Sequence, residues 1–171
     1  MYDYLVIDTE TTGLNVASDE LLQVSIVGSN GEILYDKYIK PIRNKRWDAA
    51  ERIHHISPEM AETAPIIEEE RERIQAILEQ SNTIIGYNVY FDLDFIEEAG
   101  IKINENQKVF DVMLAFAEIY GEYNEYFGSY KWQKLSTCAD YYGYEWSTDK
   151  QHNSVEDCLA TLFCYKKMMN D

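Results

Sequence analysis

The order of the apolar runs constrains this chain more than any other feature. "YLVI" at 4–7 and the run over 21–27 are followed by the tight turn Ser29-Asn30-Gly31-Glu32 and a third apolar run over 33–39. Three strand-length runs joined this closely predict an antiparallel meander. The pattern then changes. Ala64-Pro65 opens a helix to about Glu79, with Pro65 suited to its first turn. "TIIGYN" from Thr83 reads as a fourth strand, and residues 88–99 read as a helix with Asn88 as N-cap and Gly100 as stop signal. Residues 108–110 give a fifth strand, followed by a helix from Asp111. Residues 122–130 read as a loop, and residues 134–142 and 154–169 as helices. Strands first, then strands alternating with helices, predict an α/β fold with a mixed sheet covered by helices. With 171 residues and no repeat or linker, residues 1–171 read as a single domain.

Composition narrows the classes of function. The formal charge is −16, so the average surface repels phosphate backbones and broad, nonspecific nucleic-acid binding is not expected. The positive charge is uneven: Lys37, Lys40, Arg43, Lys45 and Arg46 crowd together, as a solvated loop or as an edge that steers phosphates. Cys138, Cys158 and Cys164 show no CxxC spacing and read as reduced structural thiols. No apolar stretch approaches a membrane span and no leader precedes Tyr4, so a cytoplasmic protein without a membrane partner is expected.

Three short stretches carry chemistry. Strand side chains alternate, so Asp8 and Glu10 of "DTETTGL" point the same way. Two such carboxylates repel unless one is protonated or a hard divalent cation lies between them. The alternative is that they cap a strand and start a turn. In "NVYFDLDF", Asn88 and Asp92 share one helix face, as do Phe91 and Phe95; Asp92 also serves as ordinary dipole compensation. In "HNSVED", His152 lies just before a helix and Asp157 more than one turn inside it. Asn153 with Glu156, or Ser154 with Asp157, makes a capping box. His152 beside a carboxylate can also take a proton from a water held by metal.

Taken together, the three stretches resemble the three motifs of the DnaQ-like, or DEDDh, family of 3′–5′ exonucleases. DxExTGL matches Asp8, Glu10, Thr12, Gly13 and Leu14; NxxFDxxF matches Asn88, Phe91, Asp92 and Phe95; HxxxxD matches His152 and Asp157. "IHHISPEM" at 53–60 looks like the family's "hGIt" segment, and "LSTCADYYG" like its helix before the third motif. Tyr87 stands where many members have His, His55 where Gly is usual, and Ser154 where Ala is frequent. Tyr87 and His55 put the pocket's shape and substrate preference in question.

The resemblance implies an RNase H-like five-stranded mixed sheet flanked by helices. It implies that Asp8, Glu10, Asp92 and Asp157 hold two divalent metal ions, Mg²⁺ or Mn²⁺, and that His152 accepts the proton of the attacking water. Thr11, Thr12, Gly13 and Leu14 would meet the terminal nucleotide, with Leu14 as a wedge or, alternatively, a core residue; Asn88 and Phe91 would shape the pocket. The expected reaction is 3′–5′ hydrolysis of single-stranded or frayed DNA to nucleoside 5′-monophosphates. Trimming of RNA ends or short oligoribonucleotides is the alternative; an inactive nucleic-acid-binding protein and a polymerase proofreading subunit rank lower. The expected partner is a nucleic acid with a free 3′ end, with a homodimer or a polymerase as further candidates. Tyr123, Tyr126, Phe127, Tyr130 and Trp132 are candidates for a base-stacking platform, or for ordinary packing.

Overall fold

The computed structural model describes residues 1–147 and 153–170. The chain runs β1 (Leu5–Thr11), β2 (Leu21–Gly28), β3 (Ile33–Tyr38), α1 (Asp48–His54), α2 (Pro58–Glu62), α3 (Ile67–Leu78), β4 (Thr83–Gly86), α4 (Val89–Glu98), β5 (Lys108–Asp111) and α5 (Val112–Tyr120). It continues through β6 (Tyr123–Asn124), β7 (Ser129–Tyr130), α6 (Leu135–Tyr142) and α7 (Ser154–Met169). The main sheet has the order β3-β2-β1-β4-β5. Strands β1 to β3 pair antiparallel as the meander predicts, whereas β4 pairs parallel with both β1 and β5. The five-stranded mixed sheet expected from the sequence is therefore the one observed.

Helices cover both faces. Leu5 and Ile7 of β1, with Val24 and Ile26 of β2, pack against Ile74 and Leu78 of α3 and Leu93 and Ile96 of α4. On the other face Val6, Val27 and Ile85 pack against Val112 and Phe116 of α5, Cys138 of α6, and Cys158 and Leu162 of α7. Full burial of one such aliphatic side chain contributes roughly 1.5–3 kcal/mol. β2 is buried along its whole length, which suits a strand with neighbours on both edges and helices on both faces. The three cysteines are free and buried, in keeping with structural thiols.

The structure departs from the sequence reading in four places. α3 begins at Ile67, not at Pro65, because the Pro65 carbonyl accepts the Lys40 N–H at 2.8 Å and holds that segment against the end of the meander. α1 and α2 were not expected: at 7 and 5 residues they are shorter than the windows in which helical periodicity shows. The 122–130 segment is a hairpin of two two-residue strands rather than an irregular loop. Asn88 holds the N-cap position of α4, but its φ is 63° and its side chain accepts no helix N–H. Asn is among the few residues that adopt this left-handed backbone at small cost.

The topology opens the sheet where the acids lie. β1 pairs with β4 only at Leu5 and Val6, because β4 stops at Gly86. A Cβ on Gly86 would meet the Ile7 carbonyl oxygen at 3.0 Å and the Val89 side chain closer still. That glycine lets the strand end against β1 and turn at once into α4. Residues 8–11 of β1 are left without a strand neighbour on that side.

Candidate active site

The alternation of β1 places Asp8 and Glu10 on the face of Val6, which is covered by α7, and Thr9 on the opposite face, toward α4. Asp157, one turn into α7, comes directly over the first two acids. One carboxylate oxygen each from Asp8, Glu10 and Asp157 lie within 4.8 Å of one another. Asp92 arrives from α4 around the open edge. Its Oδ1 accepts the Thr9 backbone N–H at 2.9 Å and the Thr9 hydroxyl at 2.7 Å. That N–H faces the side where β4 has ended, so Asp92 supplies the acceptor that a longer strand would have given.

Electrostatics bind the four acids into one group. Burial pushes the Asp8 carboxyl well above its ordinary value, and the charges of Asp92, Asp157 and Glu10 push it further. Glu10 is pushed up to about 9, first by burial and then by Asp157 and Asp92. Asp92 is pushed up to about 7 by burial; the Thr9 bonds oppose this and Asp111 reinforces it. Among the described residues no Lys or Arg lies within ion-pair distance of Asp8, Glu10 or Asp92. An all-carboxylate set fits a hard cation such as Mg²⁺ or Mn²⁺ better than a soft one.

The surroundings hold this group rigidly. Asn153 caps α7 by accepting the Val155 N–H at 3.3 Å. Glu156 does not close a capping box; it accepts the Ser147 hydroxyl at 2.6 Å instead. Ser154, where the family often has Ala, is fully buried against the Ser25 hydroxyl of β2. His152 lies outside the described residues.

Each remaining motif residue has a definite place. The Thr12 N–H donates to the Glu20 carbonyl, and its hydroxyl accepts from the Glu20 N–H and from Asn44 Nδ2. The Thr11 hydroxyl closes the turn by donating to the Gly13 carbonyl at 2.6 Å. The N–H groups of Gly13 and Leu14 are left without an acceptor among the described residues. Gly13 is needed for space: a Cβ there would lie 2.5 Å from the Asp19 carboxylate. Leu14 is 87% exposed beside the turn and takes no part in the core. Asn88 is exposed, and Phe91 is half-buried with its ring 5.0 Å from that of Phe95.

The two bulkier departures from the family pattern, His55 and Tyr87, also have a physical account. His55 ends α1 with φ 60°, a left-handed position that a glycine fills without strain. Its neighbour His54 is buried; Nδ1 accepts the Ile56 N–H, so Nε2 carries the proton and donates to the Thr11 carbonyl at 3.2 Å. The "hGIt"-like segment thereby braces the end of β1. The Tyr87 hydroxyl donates to the Gln133 carbonyl at 2.9 Å, and the residue lines a cleft of about 550 Å³ with Asp8, Asp157, Lys134, Ser136 and Trp146.

Asp111 was not singled out as a site residue, because an acid before a helix usually reads as a cap. It does cap α5, accepting the Met113 and Leu114 N–H groups, but the same oxygen also accepts the Asn88 N–H at 3.1 Å. This fixes the left-handed turn that launches α4 and so aims Asp92. The basic cluster, by contrast, is mostly engaged: Lys37 pairs with Glu70, Arg43 with Glu20, and Lys45 with the Ile42 carbonyl. A solvated, locally tied segment describes it better than an open phosphate edge.

The sequence and the fold have counterparts among known proteins. The RNase T family model, described as an exonuclease, matches residues 5–165. The chain is 28% identical over 97% of its length to a DNA polymerase III PolC-type of Staphylococcus saprophyticus, and 25% over 98% to one of Caldanaerobacter subterraneus. It spans only 11% and 12% of those polymerases. Among solved structures it resembles E. coli exonuclease I in complex with a dA16 oligonucleotide, with TM-score 0.76 and 21% identity over 98% of this chain and 41% of that one. The zinc-bound form of the exonuclease I complex with single-stranded DNA gives TM-score 0.76 and 20% identity, over 99% of this chain and 42% of that one. Among the described residues no helix is long and apolar enough to cross a membrane. A family match over nearly the whole sequence, on the fold described above, makes this chain a member of the DnaQ-like exonuclease family of the RNase H-like superfamily.

Proposed function

We propose that the chain is a divalent-metal-dependent 3′–5′ exonuclease acting on single-stranded or frayed DNA and releasing nucleoside 5′-monophosphates. The observation that carries this reading is the convergence of Asp8, Glu10 and Asp157 within 4.8 Å at the open end of β1, with Asp92 beside them. Four acids this close, with Asp8, Glu10 and Asp92 raised by burial, favour occupation by two cations, Mg²⁺ or Mn²⁺. Bound there, such cations would acidify the attacking water and offset the charge that builds on the departing 3′-oxygen.

The chain's own residues do the rest. Asp8, Glu10, Asp92 and Asp157 hold the cations; His152, from its place in the third motif, takes the water's proton. The Gly13 and Leu14 N–H groups, with no acceptor among the described residues, suit the terminal 3′-hydroxyl. Leu14, exposed beside them, can pack on the last base, and the Phe91 ring, braced by Phe95, forms a wall of the nucleotide pocket. The alignment with PolC-type polymerases favours one setting for this activity, removal of misincorporated nucleotides for a polymerase partner.

The test is digestion of matched DNA and RNA oligonucleotides by the parent chain and by Asp8→Ala and Asp157→Ala. DNA shortening by the parent, with both variants folded and inactive, is expected. RNA shortened in preference to DNA would transfer the activity to RNA ends, and turnover by either variant would defeat the assignment of its carboxylate.

A further inference from the structure

The hairpin between α5 and α6 is the least core-like part of the molecule. Its aromatic side chains belong to none of the three apolar clusters. Tyr126 is 88% exposed, Phe127 74% and Trp132 68%, and Tyr123 and Tyr130 are exposed as well. Five exposed aromatic rings within ten residues are costly to leave in water and are not explained by packing.

The hairpin is also built rather than loose. Asn124 Oδ1 accepts the Tyr126 and Phe127 N–H groups, and the Gly128 N–H returns to the Asn124 carbonyl. The Tyr123 and Tyr130 rings pack edge to face across the strands at 5.3 Å, and the Tyr126 and Phe127 rings do so at the tip at 4.9 Å. At the base, Glu122 binds Lys131 and Gln133. The rings are therefore held outward at little further entropic cost on binding.

Its position gives it an occupant. The strand leaving the hairpin runs from Trp132 straight into Gln133 and Lys134, which line the cleft with Asp8 and Asp157. The Gln133 carbonyl is pinned there by Tyr87. The surface carries a strong negative charge, so a strand cannot be held mainly through its phosphates. Bases are neutral, and each presents a flat face to an aromatic ring.

We propose that the hairpin is a stacking platform for unpaired bases on the 5′ side of the nucleotide being removed, with Lys134 meeting an intervening phosphate. This rests on the exonuclease reading above and specifies how that site holds its strand.

The experiment compares KM for a dinucleotide with KM for a long single strand, in the parent and in Tyr126→Ala, Phe127→Ala and Trp132→Ala. The parent should prefer the long strand, and each variant should raise its KM by roughly 5- to 150-fold per stacked base lost while kcat changes little. Tyr126→Phe and Phe127→Tyr should restore the parent's preference, which a merely structural role would not predict. The parent's log affinity should fall with log salt at a slope of about −0.7 per phosphate held, with only one or two such contacts.

A parent that hydrolyses both substrates while the variants keep its length preference would overturn the platform and leave the exonuclease reading intact. A parent inactive on both would remove the exonuclease reading first. Variants that change only the molecular mass in solution would assign the surface to a second copy of the chain and overturn the inference.

Discussion

Replacing Glu10 by Gln should stabilise the cation-free protein. The substitution keeps the side chain's shape and removes one of four crowded carboxylates. In the folded chain Glu10 titrates at about 9, against 4.5 when unfolded. A raised acid keeps its proton in the folded state over a range where the unfolded state has lost it. Its contribution is therefore fully present below about pH 4.5 and is lost as pH rises through about 9. Asp8 and Asp92 are raised as well and act in the same direction. At ~1.4 kcal/mol per tenfold change in proton affinity, the ceiling for Glu10 alone is about 6 kcal/mol. Asp8, Glu10 and Asp92 titrate as interacting groups, so removing one recovers only part of this, on the order of 2 kcal/mol near neutral to mildly alkaline pH.

For a chain of this length that is a rise in Tm of about 4–8 °C. The assay is thermal unfolding followed by circular dichroism, in chelator and in Mg²⁺, across the same pH range. In chelator the parent's Tm should fall as pH rises and the variant's should fall less; in Mg²⁺ the parent should gain more than the variant. A parent whose cation-free Tm is flat or rising with pH, or a variant no more stable than the parent under alkaline conditions, would refute the reasoning.

Two further outcomes follow from other residues. His152→Ala should slow hydrolysis by about 10²–10⁴-fold while divalent-cation affinity, read by calorimetry, stays near the parent's. His55→Gly should relieve the left-handed strain at the end of α1, raising stability by about 0.5–1 kcal/mol in denaturant unfolding.

Most of the sheet was legible because its strands are apolar runs bounded by Gly and polar turns, a local signal. The acids were legible through motif spacing, although their convergence depends on something no local window contains. β4 stops at Gly86, and the missing strand pairing is what admits Asp92 to the Thr9 N–H. Asn88 holds the expected N-cap position without a side-chain cap, because Asn suits both a cap and a left-handed turn; only Asp111, 23 residues later, decides between them. Thr12, expected to meet the terminal nucleotide, has its N–H engaged by the Glu20 carbonyl, a long-range bond that no local window shows. The hairpin was hidden because two-residue strands carry no readable alternation.

The account depends most directly on cation-dependent cleavage with a defined polarity. A 5′-labelled single strand incubated with the chain and Mg²⁺ or Mn²⁺ should shorten stepwise from its 3′ end, and excess chelator should stop it. Unabated shortening in chelator, or immediate release of the label as a mononucleotide, would contradict it.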